Sequence, residues 1–245
     1  MLAHNRDHFL SQGLYYPLTG QVGTGGGQHN LAWELNGDER FDPEAGTVAD
    51  LGSELREQHP SAVLISSEDL VFLYYKTDRL DVLRSLFDDL GYRVLVAVTL
   101  RELPDYLESV YSQLLGDGLA GDFDEFVSDV LTGRGHFCAG GIPVDYLQLV
   151  EGFASVFGAE ALRVLLYDPV DVISPLLMVC SEAVGAPISA ARHLRLNTRD
   201  DRTSRVVLSS AQKELIARCC PGIEALGRLG LRPGATLTGA SSQNG

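Results

Sequence analysis

The sequence predicts an α/β protein built on a parallel sheet, and two observations predict it. Three short apolar runs, SAVLIS (61–66), RVLVAVTL (93–100) and ALRVLLY (161–167), lack clean alternation, so each reads as a strand covered on both faces. Segments of helical period precede, separate and follow them, the arrangement that builds a sheet from crossover connections.

Each element has its own local reason. Residues 47–58 and 78–90 are amphipathic and precede the first two strands; Leu80, Leu83, Leu86, Phe87 and Leu90 make one stripe at spacings of three and four. A helix over 103–116 follows the second strand, with Pro104 in its first turn, where a missing N–H costs nothing. Residues 143–157 carry Tyr146, Leu149, Val150, Phe153 and Phe157 at the same helical spacing. Helices over 171–184 and 209–228 complete the set. The stretch 193–205 is polar and basic, has no apolar stripe and reads as a loop. Residues 231–245 have no periodicity and read as a disordered tail, leaving one domain over 1–230.

Composition narrows the classes. The chain has 245 residues, 45% of them hydrophobic and 21% charged, which suits a sizeable core without a disulfide or metal staple. A net charge of −14 sets nucleic acid and anionic lipid aside as main partners. An anionic small ligand would need a local group of arginines, because lysine occurs only at Lys76 and Lys213 among 19 basic residues. Cys138, Cys180, Cys219 and Cys220 have no metal-ligand spacing and read as reduced thiols of a cytoplasmic protein. No run approaches the ~18 apolar residues of a membrane span, and the first residues hold no secretory apolar region. His136 and His193 lack partners at ligand spacing, so no metal is expected. The absence of HExxH, GxSxG and paired CxxC leaves metalloprotease and hydrolase readings without support.

Three places carry candidate chemistry. Arg101 closes the second apolar strand, where parallel sheets bind ligands, and Ser109 lies two turns into the next helix. Eight residues of helix rise about 12 Å, so the two side chains grip one phosphate only if the chain folds back between them. Pairing of Arg101 with Glu102 or Asp105 is the plainer reading of the spacing. The glycine-rich segment GQVGTGGGQHN (20–30) has no lysine in reach and reads as a flexible surface loop, but it delivers His29 to the start of the helical run HNLAWEL. A histidine there is a candidate base because it titrates near neutrality. In LISSEDL (64–70), Ser67 suits an N-cap, and Glu68 either favours the positive helix start or lines the same cleft as Arg101.

Read together, the segments NRDHFLSQGLYYP, QHNLAWEL, VLISSEDL, VTLRELPDYLESVYSQLL and VDYLQLVEGFASVFG with ALRVLLYD resemble the bacterial carbohydrate-type sulfotransferases, in the same order over residues 2–185. The resemblance implies a P-loop NTPase-like three-layer α/β/α fold with a central parallel sheet. It implies transfer of a sulfuryl group from 3′-phosphoadenosine 5′-phosphosulfate (PAPS) to a hydroxyl or amine of a carbohydrate or small-molecule acceptor. In that family the pair matched by Arg101 and Ser109 binds the 3′-phosphate of PAPS. His29 and Glu68 are then the two candidate bases, and Arg199 and Arg202 candidates for closing over the nucleotide. One feature departs from the family. Its opening strand and GxxKxGTT loop, whose lysine offsets charge on the bridging oxygen, have no counterpart here, since the chain starts within what would be the helix after that loop. The expectation is an N-terminally incomplete enzyme, the alternative a short non-catalytic homologue that binds nucleotide or a protein partner. An ATP-using P-loop kinase relative is disfavoured by the lack of GK[ST] and of a magnesium-binding aspartate at a strand end.

Overall fold

The computed structural model describes residues 2–23, 26–116, 118, 122–131, 142–191, 209–210, 213–214, 216 and 226. Among these, four strands form two parallel pairs. β1 (Leu14–Tyr15) pairs with β2 (Ala62–Val63), and β3 (Val96–Leu100) pairs with β4 (Leu162–Leu166) in the register Val96↔Leu162 to Leu100↔Leu166. The strands are parallel, as expected; among the described residues they are hydrogen-bonded as two two-stranded ladders.

The helices follow from local chemistry. α1 (Arg6–Ser11) leads into β1, and α2 (His29–Asn36) stops at Gly37 in the left-handed region. α3 (Val48–Gln58) opens on a full capping box, in which Thr47 accepts from the Asp50 N–H and Asp50 from the Thr47 N–H. α4 (Thr77–Asp89) turns its apolar stripe inward, with Leu80 and Leu83 buried. α5 (Leu103–Gly116) buries Leu103, Leu107 and Tyr111. α6 (Phe123–Leu131) packs Phe123 and Phe126 against Tyr111, at centroid distances of 4.7 and 5.2 Å. α7 (Tyr146–Phe157) is capped by Asp145, whose side chain accepts from the Gln148 N–H. α8 (Ser174–Val184) ends on Gly185.

Two apolar clusters place the layers. The larger joins α2, α3, α4, α5, α6 and α7 to Val98, Leu100, Leu162 and Val164 of the second ladder. The smaller joins Phe9 of α1, Leu14, Ala62, and Leu177 and Cys180 of α8. Burial pushes the Cys180 thiol up to about 11, which keeps it neutral and unreactive. β1 and β2 are covered on both faces, as expected for β2, since Leu14 and Ala62 join the smaller cluster while Tyr15 and Val63 pack against the larger. β3 and β4 are not: Val98 and Leu100 are buried, while Ala97 and Thr99, which alternate with them, are exposed. On the outer face Arg163 reaches α8 instead, its Nε 2.7 Å from Glu182 Oε2. The larger cluster is closely fitted where α7 crosses the carbonyl of Tyr74, since a Cβ on Gly152 would lie 2.1 Å from that oxygen.

The glycine-rich segment departs from the flexible loop its composition suggests. It follows β1 and is tied down along its described length. Buried Tyr16 donates its hydroxyl to Gly26 O at 2.9 Å, and Arg6 donates to Tyr16 O and to Gln21 Oε1 at 3.1 and 2.8 Å. The Glu54 carboxylate accepts from Tyr15 Oη, Leu18 N–H, Thr19 N–H and the Thr19 hydroxyl. Burial alone would raise the pKa of Glu54, but these four donors outweigh it and hold the carboxyl below its ordinary value. Gln28 and Asn30, both fully buried, close the segment. Gln28 accepts from Ser66 N–H at 2.8 Å and donates to Pro17 O at 3.0 Å. Asn30 donates to Asp42 O and Gly46 O at 2.7 and 2.8 Å and accepts from Asp42 N–H at 2.9 Å. Asn30→Ala should therefore cost about 2–4 kcal/mol in urea melts, since it strands several buried backbone groups at once. A loss under about 0.5 kcal/mol would show that water replaces the amide.

Candidate functional site

His29 is the first residue of α2, set between the two buried amides just described, so its backbone is on rigid scaffold. Its Nδ1 lies 2.7 Å from Asp69 Oδ2 and 3.1 Å from Ser67 Oγ. Both side chains come from the turn after β2. Ser67 caps a 3-10 helix over Glu68–Leu73 by accepting from the Asp69 N–H at 3.1 Å, which aims Asp69 at α2. With an acceptor carboxylate on Nδ1, the proton of neutral imidazole resides there, and Nε2 carries the lone pair. Nε2 makes no hydrogen bond among the described residues and lies close over Gly27, where a Cβ would be 2.7 Å from it.

Asp69 is a shared acceptor. Its Oδ2 also receives the Trp33 indole N–H at 3.1 Å, and Arg40 Nη2 lies 3.7 Å from its Oδ1. The side chains of His29 and Asp69 are 23% and 13% exposed, buried enough for their pairing to matter. The hydrogen bond to Asp69 raises the pKa of His29 above its ordinary value; burial opposes it, the charges of Asp69 and Glu68 add to it, and Arg40 subtracts. Glu68 itself is exposed and its side chain makes no hydrogen bond among the described residues. Asp69, not weighed from the sequence, is the carboxylate in contact with the histidine.

The second group gathers at the carboxyl end of β3. Arg101 Nη1 donates to Ser109 Oγ at 3.0 Å. The chain folds back without a long loop: only Glu102 separates Arg101 from α5, and the arginine side chain spans the remaining rise of the helix. The guanidinium lies 3.6 Å from the ring centroid of Tyr167, a cation–π stack. The parallel register explains this neighbour, since Tyr167 N–H donates to Leu100 O at 2.8 Å and so follows Leu166 at the same level as Arg101. Buried Tyr146 donates its hydroxyl to Arg101 O at 2.8 Å and fixes the backbone beneath it. Arg101 pairs with neither Glu102 nor Asp105; it forms no ion pair among the described residues.

Arg199 and Arg202 lie outside the described residues. Lys76 is engaged elsewhere, donating to Asn36 O at 2.8 Å and lying 5.5 Å from the Tyr75 ring centroid. A cavity of about 410 Å³ opens at the opposite, amino ends of β3 and β4, between Arg84, Arg93, Phe157 and Glu160. It contains none of the groups above, and Arg84 in it is already bonded to Val156 O and Asp88. No helix among the described residues is long and apolar enough to cross a membrane.

This fold is similar to that of a solved sulfotransferase. The chain superimposes on the crystal structure of a sulfotransferase from Alicyclobacillus acidocaldarius with a TM-score of 0.52, at 19% identity, covering 93% of this chain and 90% of that one. The small parallel ladders with helices around them are therefore a shared fold. No protein-family model and no curated protein matches the sequence.

Proposed function

We propose that the protein transfers a sulfuryl group from PAPS to a hydroxyl or amine of a carbohydrate or small-molecule acceptor. The observation that carries this reading is Arg101. It is a guanidinium without a carboxylate partner among the described residues, in a chain of net charge −14, held by Ser109 and Tyr167 at a strand's carboxyl end. A cation kept unpaired against that surplus of acid is suited to an anionic group, and a guanidinium beside a hydroxyl matches a phosphate monoester in geometry and donor count. Arg101 and Ser109 would hold the ribose 3′-phosphate of the donor, which supplies the activated sulfuryl group. Arg199 and Arg202 are proposed to close over the nucleotide.

Of the two candidate bases the geometry favours His29. Asp69 holds its proton on Nδ1, so Nε2 is the atom able to take a proton from the acceptor as the new S–O or S–N bond forms and the S–O bond to the donor's 5′-phosphate breaks, adenosine 3′,5′-bisphosphate leaving with that electron pair. Asp69 orients the ring and stabilises the imidazolium that results. Glu68 contributes negative charge nearby.

Calorimetry on the full chain tests the donor site without requiring turnover. Adenosine 3′,5′-bisphosphate should bind at least tenfold more tightly than adenosine 5′-monophosphate, which lacks the 3′-phosphate. Equal affinities for the two would overturn the assignment.

A further inference from the structure

His29 does not hold Asp69 alone. Two other groups reach the same carboxylate, and both come from α2 or the residues just after it. Trp33, one helical turn beyond His29, places its indole N–H on Asp69 Oδ2, the oxygen that His29 also uses. Arg40 lies over the Trp33 ring, with its guanidinium carbon 4.6 Å from the ring centroid, and approaches the other oxygen, Oδ1, at 3.7 Å. Arg40 cannot drift freely. Its Nε and Nη2 form a fork on Asp38 at 2.9 and 2.7 Å, and the tight turn at Gly37 brings that fork back against the helix. The unit Asp38–Arg40–Trp33 therefore holds the Arg40 guanidinium, its charge partly offset by Asp38, and the indole N–H against the carboxylate that orients the base.

From this arrangement we propose that Arg40, stacked on Trp33, is a positioning residue that acts on His29 through Asp69 and sets the pH range over which His29 accepts a proton. The inference rests on the reading of His29 as the base.

The physical argument is one of sharing. A carboxylate that accepts one hydrogen bond and faces no cation gives its whole charge to the imidazolium opposite. Asp69 divides its charge among His29, the indole N–H and the Arg40 guanidinium. The charges that face His29 are Asp69 and Glu68 from the turn after β2 and Arg40 from beyond α2, with Asp38 bound to Arg40. Two acids raise its proton affinity and one base restrains it. Arg40 thus lowers the histidine's affinity for the proton that disables it as a base.

Arg40 is 53% exposed, so Arg40→Gln removes the charge without unsettling the core. The readout is the protonation of His29 itself, followed by imidazole NMR, with His29→Gln assigning the signal. Trp33 is the single tryptophan of the chain, and its ring centroid is 6.1 Å from that of His29. Its fluorescence, quenched by an adjacent imidazolium, reports the same titration in the unmodified protein. In Arg40→Gln the His29 midpoint should rise by about half a pH unit at low ionic strength and by less in high salt. The acidic limb of the pH–rate profile should move with it. Trp33→Phe, which keeps a ring and deletes the N–H, should raise the midpoint in the NMR titration as well. A midpoint that stays fixed or falls in Arg40→Gln overturns the proposal. A raised midpoint in a protein that transfers no sulfuryl group supports the role of Arg40 while removing the proposed reaction.

Discussion

Arg101→Ala should weaken adenosine 3′,5′-bisphosphate by about 30-fold to several thousand-fold, the range expected when one partner of a desolvated, hydrogen-bonded charge pair is removed. The same substitution should leave adenosine 5′-monophosphate nearly unaffected, because that ligand lacks the group Arg101 is proposed to hold. The contrast between ligands matters more than the loss itself. A substitution that merely loosened the end of β3 would weaken both. The fold has little reason to loosen: Arg101 forms no ion pair among the described residues, and the Tyr146 hydroxyl bonds to its backbone carbonyl, which alanine retains. Loss of the stack on Tyr167 is worth about 1 kcal/mol at such a site, so thermal melts should shift by only a few degrees. Ser109→Ala should follow the same pattern at lower amplitude, about tenfold, since it deletes one neutral hydroxyl. Equal losses for both ligands would mean that Arg101 supports the strand end and does not read the phosphate.

How far the sequence foretold this site depends on what kind of contact each residue makes. The apolar runs and stripes were readable because burial imposes a period; the predicted helices over 47–58, 78–90 and 103–116 match α3, α4 and α5 within about one residue. α6 was readable too, from Phe123, Phe126, Val127 and Val130 at helical spacing, yet it went unpredicted. β1 was not readable, because two residues carry no period. The single sheet was expected from strand patterns, but pattern says nothing about which strands are adjacent, and β3 proved to alternate in burial although its residues do not alternate in polarity. Arg101 and Ser109 were legible as a pair; Tyr167 was not, because it enters through the register of β3 against β4. Asp69 was hidden beside Glu68. Only the direction imposed by the Ser67 cap decides which of two adjacent acids faces the histidine. Gln28 and Asn30 looked like loop residues because polar side chains are seldom buried, and here they are buried with their hydrogen bonds satisfied.

His29→Gln should lower sulfuryl transfer by about 10²–10⁴-fold, the usual contribution of a positioned general base, while leaving bisphosphate affinity within a few-fold of the parent. Asp69→Asn is the more revealing change, because it preserves shape and removes only charge. The sign of its effect on pH follows from the direction of the shift. Asp69 raises the pKa of His29, chiefly through the hydrogen bond to Nδ1, and transfer requires the neutral ring. In the parent protein, turnover should therefore climb as pH rises through a midpoint above that of an ordinary histidine and then level off. In Asp69→Asn the climb should move to lower pH, and its plateau should fall, because the amide no longer holds the Nδ1–H tautomer or stabilises the imidazolium. Stability should carry the same signature without any substrate. A group whose folded pKa is raised contributes stability in acid, below the unfolded value, and loses it as pH rises through the folded value. The gap in melting temperature between parent and Asp69→Asn should thus be wider at pH 5 than at pH 9. Glu68→Gln, at an exposed carboxylate without a hydrogen bond among the described residues, should slow transfer by less than about tenfold. If Glu68→Gln abolishes transfer and His29→Gln does not, the two residues exchange roles and the histidine becomes a structural partner of Asp69. If the parent binds the bisphosphate with the expected preference and transfers nothing, the chain is a nucleotide-binding protein built on the same fold, and the pH signature in the melts is all that the dyad leaves to measure.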